Sequence, residues 1–172
     1  MKNVLSLVGL LAALLTQSYS PAAQVPDAWK PFEFLVGDWV GSGSGKPGEG
    51  SGAFSLKFDL DQKILLRRNR NQIAPTTNHP EGAVHEDLMI IYQPPGNSAF
   101  RADYWDSEGH VIHYAVSVAE HRAVFESDGA GNTTRFRLTY ELEPDGLLNV
   151  VFAVAGPGKP FQTYVSGTAR RK

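Results

Sequence analysis

A chain of 172 residues with 18 acidic and 16 basic side chains carries a net charge of −2 with its histidines neutral. No cationic block stands out before the last three residues, which argues against nucleic acid as a partner, since phosphate binding needs clustered Lys and Arg. Cysteine is absent, so disulfides, thiolate metal sites and a Cys nucleophile are excluded and the fold rests on packing alone.

In chain order, Met1 and Lys2 give a short basic start, Val4 to Leu15 an almost unbroken apolar run, and Thr16 to Ala23 a small and polar segment. That order is the pattern of a secretory signal peptide, and the run is shorter than the ~20 residues a spanning helix needs. Residues 1–23 are therefore read as a signal peptide. The remaining chain is expected to be secreted or periplasmic, without a further membrane span, and to form one domain over residues 27–171. Asp27 to Val36 reads as one short helix, with Asp27 as its N-cap.

From Gly37 onward the pattern is alternation with period two, broken by turn residues. Phe54, Leu56, Phe58 and Leu60 alternate with polar or small residues, as do Phe136, Leu138, Tyr140 and Leu142. A helix would need apolar spacings of three and four instead. Turn clusters such as Lys46–Gly50, Leu60–Gln62, Pro94–Asn97, Ser107–Gly109 and Pro144–Gly146 divide the chain into about ten strands. These lie near 38–45, 51–59, 63–73, 84–93, 98–106, 110–119, 122–127, 134–143, 147–155 and 162–170. The expectation is an all-β, antiparallel up-and-down barrel, with the short N-terminal helix plugging one end.

The most specific text is Phe32-Glu33-Phe34-Leu35-Val36-Gly37-Asp38-Trp39-Val40-Gly41-Ser42-Gly43. An apolar turn leads into a strand whose Trp39 can fill one end of a barrel, while Gly37, Gly41 and Gly43 permit sharp curvature and close strand approach. Gly-x-Trp after a short helix resembles the lipocalin-like (calycin) signature. The fuller Gly-x-Trp-x-Gly-x-Gly is most similar to nitrobindin-type haem-binding barrels and to exported bacterial lipocalin-like domains of unknown function. The nitrobindin resemblance implies a haem held through a His on the last strand. Here Phe161 to Ala169 contains no His, and Tyr164 is the residue there that could ligate ferric haem instead. The residues themselves call for no cofactor.

In Ile64-Leu65-Leu66-Arg67-Arg68-Asn69-Arg70-Asn71, polar residues occupy both parities. One parity of a barrel strand must face inward, so part of the interior is cationic or amide-bearing either way. Arg68 and Arg70 continue the apolar Ile64 and Leu66, and are preferred as the inward pair over Arg67, Asn69 and Asn71. A buried guanidinium needs a carboxylate, either from Glu86, Asp87, Asp103 or Asp106, or from an amphipathic ligand.

Of the five histidines, His110 and His113 fall on opposite faces, which discourages joint metal binding. His85 and Asp87 share a parity suited to an acid–base pair. No Gly-x-Ser-x-Gly elbow or His-Glu-x-x-His motif is present, and Gly41 to Gly52 lacks the ending of a phosphate loop. Arg68, Arg70, Tyr104, His113 and Tyr140 are the candidate ligand-binding residues, and Gly37, Trp39, Gly41 and Gly43 the structural ones. The expected function is an exported barrel that holds a small hydrophobic or amphipathic ligand, carboxylate-bearing in one version. The alternatives are a haem protein or an enzyme using His85, Asp87 or His113 for proton transfer.

Overall fold

The computed structural model describes residues 25–77 and 80–172. The expected signal peptide and His79 lie outside the described residues. Ten strands appear among the described residues: β1 (Gly37–Gly45), β2 (Gly48–Asp59), β3 (Ile64–Ile73), β4 (Ala83–Tyr92), β5 (Phe100–Asp106), β6 (Val111–Ala119), β7 (Arg122–Ser127), β8 (Arg135–Leu142), β9 (Leu148–Ala155) and β10 (Gln162–Arg171). Each runs antiparallel to its chain neighbour, and β1 pairs with β10 to close the barrel. Closure leaves no sheet edge open.

In place of the short helix expected over 27–36 stands a six-residue 3-10 segment, Asp27–Phe32. Pro31 inside it has no N–H to donate, and Asp27 does not cap it: its carboxylate pairs with Lys30 at 2.8 Å. Trp29 and Phe32 are buried, with Trp29 packing on Phe58 and both residues on Phe100.

Trp39 lies fully buried directly after this segment, and its indole N–H donates to the Leu35 carbonyl at 2.9 Å. Arg171, opposite Trp39 on β10, stacks its guanidinium 4.6 Å from the Trp39 ring centre. The same guanidinium donates to the Phe34 and Val36 carbonyls at 2.8 and 2.5 Å. One side chain thus ties the last strand to the entry of the first.

Gly37 has φ +137°, which other residues rarely adopt. At Gly41 and Gly43, a Cβ would come within 2.3 and 2.6 Å of the Thr168 and Ser166 carbonyl oxygens. These glycines therefore allow β1 to bend tightly against β10.

Strand register decides which side chains line the interior. Trp39 lies opposite Phe54, Phe54 opposite Asn69, Asn69 opposite Asp87, and Asp87 opposite Asp106. This inward row runs from apolar to polar around half the barrel. The row beside it passes from Leu56 through Arg67 and Met89 to Tyr104. On the side of the 3-10 segment, Leu56, Leu65, Met89, Ile91, Ala102, Ala123 and Leu148 are wholly shielded from water. Toward the other end, the inward Phe54, Asn71, His85, Tyr104, Phe136 and Phe152 are partly exposed.

Candidate functional site

The site is built where the shielded half of the interior meets the partly exposed half. Six aromatic side chains form a chain of neighbours there: Trp39, Phe54, Tyr140, Phe125, Tyr114 and Tyr104. Their successive ring centres are 6.1, 5.9, 6.0, 6.2 and 6.4 Å apart. Alternation on β1, β2, β5, β6, β7 and β8 delivers each of them to the interior. The Arg67 guanidinium lies 5.5 Å from the Phe54 ring centre, within the same level.

Arg67, Asn69 and Asn71 are the inward polar residues of β3; Arg68 and Arg70 are exposed on the outer wall. The preferred parity is therefore corrected to the other set. The reason is register: β2 directs Phe54, Leu56 and Phe58 inward, and these pair with Asn69, Arg67 and Leu65. Arg70 pairs with Glu86 outside the barrel. Both outer arginines line a groove of about 660 Å³ with Ser55, Glu86, Leu88 and Trp105. His113 is also outward and exposed, bound to Asp103 at 2.6 Å, because β6 directs Ile112 and Tyr114 inward instead. Tyr104 and Tyr140 do face the interior, Tyr140 without any exposure.

Arg67 and Asp87 form a buried ion pair. Asn69 Nδ2 donates to the second Asp87 oxygen at 2.8 Å. Burial opposes the charge on both partners, but their mutual attraction outweighs it, helped at Asp87 by His85 and Asn69. The arginine is held well above its ordinary value and the carboxyl below its own.

His85 continues this group toward the open end. Its Nε2 lies 3.4 Å from Asp87 and 3.2 Å from the Tyr104 hydroxyl, and its Nδ1 lies 3.0 Å from Glu108. Hydrogen bonding to Asp87 first, and then to Glu108, outweighs burial and pushes the imidazole up to about 9. At neutral pH it is an imidazolium. Tyr104 donates to Asp106 at 3.3 Å, and burial, then Asp87 and Asp106, raise its phenol so that it stays protonated. The His85–Asp87 pairing expected from parity is thus present, with Glu108 and Tyr104 as partners the sequence did not indicate.

Two buried polar atoms in this layer have no hydrogen-bond partner: Arg67 Nε and the Tyr140 hydroxyl. Each such atom costs about 1–3 kcal/mol when left unsatisfied. Burial pushes the Tyr140 phenol up to about 12 even though the nearby Arg67 charge acts to lower it.

The wall contributed by β8, β9 and β10 differs in character. Phe136 and Phe152 are stacked at 6.1 Å with planes 6° apart, and Tyr164 meets Phe152 edge-on at 6.2 Å. Tyr164 lies at the β-bulge of β10, with the Lys46 ammonium 6.0 Å from its ring centre. Among the described residues, His85 is the histidine that a strand directs inward, and both its nitrogens are engaged by protein partners. His85 therefore has no unengaged ring nitrogen to offer a haem iron. Among the described residues no group of three or more His, Asp or Glu is arranged to hold a metal ion.

No known protein family matches the sequence, and no curated protein is similar to it. Among solved structures, the chain is similar to Rv2717c from M. tuberculosis, with a TM-score of 0.60 and 14% identity over 87% of this chain and 99% of that one. It is also similar to the S-type phycobiliprotein lyase CPES from Guillardia theta, with a TM-score of 0.49 and 13% identity over 82% and 90% of the two chains. A third is EF1p2_mFAP2b, solved bound to DFHBI, with a TM-score of 0.45 and 10% identity over 83% and 98%. At such identities the likeness speaks to fold. The chain forms a lipocalin-like barrel.

Proposed function

We propose that this protein is an exported carrier that holds one small amphipathic molecule in the partly exposed end of its barrel. The observation that carries the reading is the contrast between two inward walls. Phe136, Phe152 and Tyr164 offer flat apolar surface on one side, and Asn69, Asn71, His85, Tyr104 and Asp106 offer hydrogen bonds on the other. An apolar lining with a few fixed polar groups is the usual build of a small-molecule site. The 3-10 segment closes the far end in this reading, through Trp29 and Phe32. The signal-peptide pattern of residues 1–23 supports export.

The inward arginine is Arg67 in place of the expected Arg68, its charge already met by Asp87, and His113 drops out of the site. Native mass spectrometry of the chain purified from its own host tests the reading, because a retained small molecule should appear as a discrete added mass. Phe152→Lys should remove that mass. A protein that never retains a ligand, and that binds no aromatic amphiphile in titration, would defeat the proposal.

A second reading keeps acid–base chemistry on the same scaffold, because His85 sits between a phenol and two carboxylates at the exposed side of the site. It would use the imidazolium as a general acid toward the bound molecule. Chemical change of the retained molecule by the wild type, lost in His85→Gln, would favour this reading over simple carriage.

A further inference from the structure

We infer that the floor of this site takes an uncharged ligand through one acceptor oxygen, placed against Arg67 Nε and the Tyr140 hydroxyl. The inference rests on the carrier reading and adds to it the class of molecule carried. Arg67 and Tyr140 are both more than nine-tenths buried and lie close enough to act on each other, yet neither Arg67 Nε nor the Tyr140 hydroxyl completes a well-formed hydrogen bond within the protein. The Phe54 ring neighbours both residues, 5.5 Å from the guanidinium carbon and 5.9 Å from the Tyr140 ring centre. Phe54 is itself partly exposed, and in this reading the ligand enters along its ring.

The charge inventory decides what kind of oxygen fits. Asp87 already neutralises Arg67, and Asn69 occupies the second Asp87 oxygen. A carboxylate arriving at this depth would bring a buried charge with no cation left to balance it. An ammonium would find Arg67 Nε presenting a donor where it needs an acceptor. A ketone, amide or ester oxygen has two lone pairs, one for Nε–H and one for the tyrosine O–H, and adds no charge. The amphiphile this floor selects is therefore neutral, and its leading group is a hydrogen-bond acceptor.

Titration of the full chain with naphthyl methyl ketone and with naphthoate, two probes sharing one aromatic body, tests the assignment. The ketone should bind at least about tenfold more tightly, and Tyr140→Phe should weaken it about tenfold while leaving the naphthoate value unchanged. In the infrared, the bound ketone carbonyl should absorb at lower frequency than in an apolar solvent, a readout that does not depend on any variant folding. Naphthoate binding as tightly as the ketone, an unshifted carbonyl, or a Tyr140→Phe variant indifferent to the ketone would overturn the assignment. Those results would leave the carrier reading standing, with water satisfying the two atoms. Failure of both probes to bind would remove the assignment and the carrier reading together.

Discussion

The guanidinium of Arg67 and the carboxylate of Asp87 meet diagonally across β3 and β4, with side chains only 7% and 4% exposed. Desolvating two charges costs several kcal/mol each, and only their close pairing and the Asn69 hydrogen bond offset it. Removing one partner is therefore worse than removing both. Asp87→Ala should destabilise the fold by about 3–5 kcal/mol, whereas the Arg67→Met, Asp87→Leu double variant should recover much of the loss. Urea unfolding of the three proteins measures this. A double variant no more stable than Asp87→Ala would mean that the pair is not coupled.

On the outer wall, Arg68, Arg70 and His113 are exposed and have solvent as the alternative to every partner. Each substituted by Ala should shift stability by less than about 0.5 kcal/mol. None should change the affinity for naphthyl methyl ketone. A several-fold loss at Arg68→Ala would return the anchor to the residue first expected from the sequence.

The pH dependence follows from His85. Its folded-state value is raised to about 9, against an ordinary 6.5. The stabilisation it brings is therefore complete below its unfolded value and disappears as the pH rises through about 9. Asp87 acts in the opposite sense: it is depressed when folded, so its contribution is lost only as the solution becomes acid enough to protonate it. Melting temperature should fall from neutral pH toward about pH 10, and His85→Gln should flatten that descent. A variant that follows the wild-type curve would show that His85 does not titrate as described.

Arg171 joins the chain's last strand to its first turn through two carbonyl hydrogen bonds and the face of Trp39. Arg171→Ala should cost about 1–3 kcal/mol in chemical unfolding. Arg171→Lys should recover only part of this, because an ammonium cannot both lie flat on the indole and reach two carbonyls. Full recovery by lysine would reduce the residue to a point charge.

Much of the barrel was legible because its signals are local. Alternation and turn clusters placed all ten strands to within a few residues, and Phe136, Leu138, Tyr140 and Leu142 were correctly grouped on one face. The parity of β3 was not local. Ile64 and Leu66 are apolar on the outer face and Leu65 on the inner, so the segment alone favours neither set. The deciding information lay one hairpin away: the turn between Asp59 and Ile64 pairs Phe58 with Leu65, and the clear alternation of β2 then places Arg67 inward.

The same argument applied across β5 would have turned His113 outward, since Tyr104 pairs with Ile112. The start of the domain failed for another reason. Pro31 truncates what the apolar spacing suggests is a helix, and the salt bridge of Asp27 with Lys30 displaces the expected cap. Arg171 drew no attention because its role depends on strand closure, which brings together residues more than 130 positions apart.

The most direct test maps where a bound amphiphile sits on the whole protein. Amide and aromatic NMR shifts recorded with saturating naphthyl methyl ketone should change at Asn71, His85, Tyr104, Phe136, Phe152 and Tyr164, and stay still at Leu88, Trp105 and Val111 on the outer wall. Changes confined to the outer three would contradict a molecule held between the aromatic and polar walls.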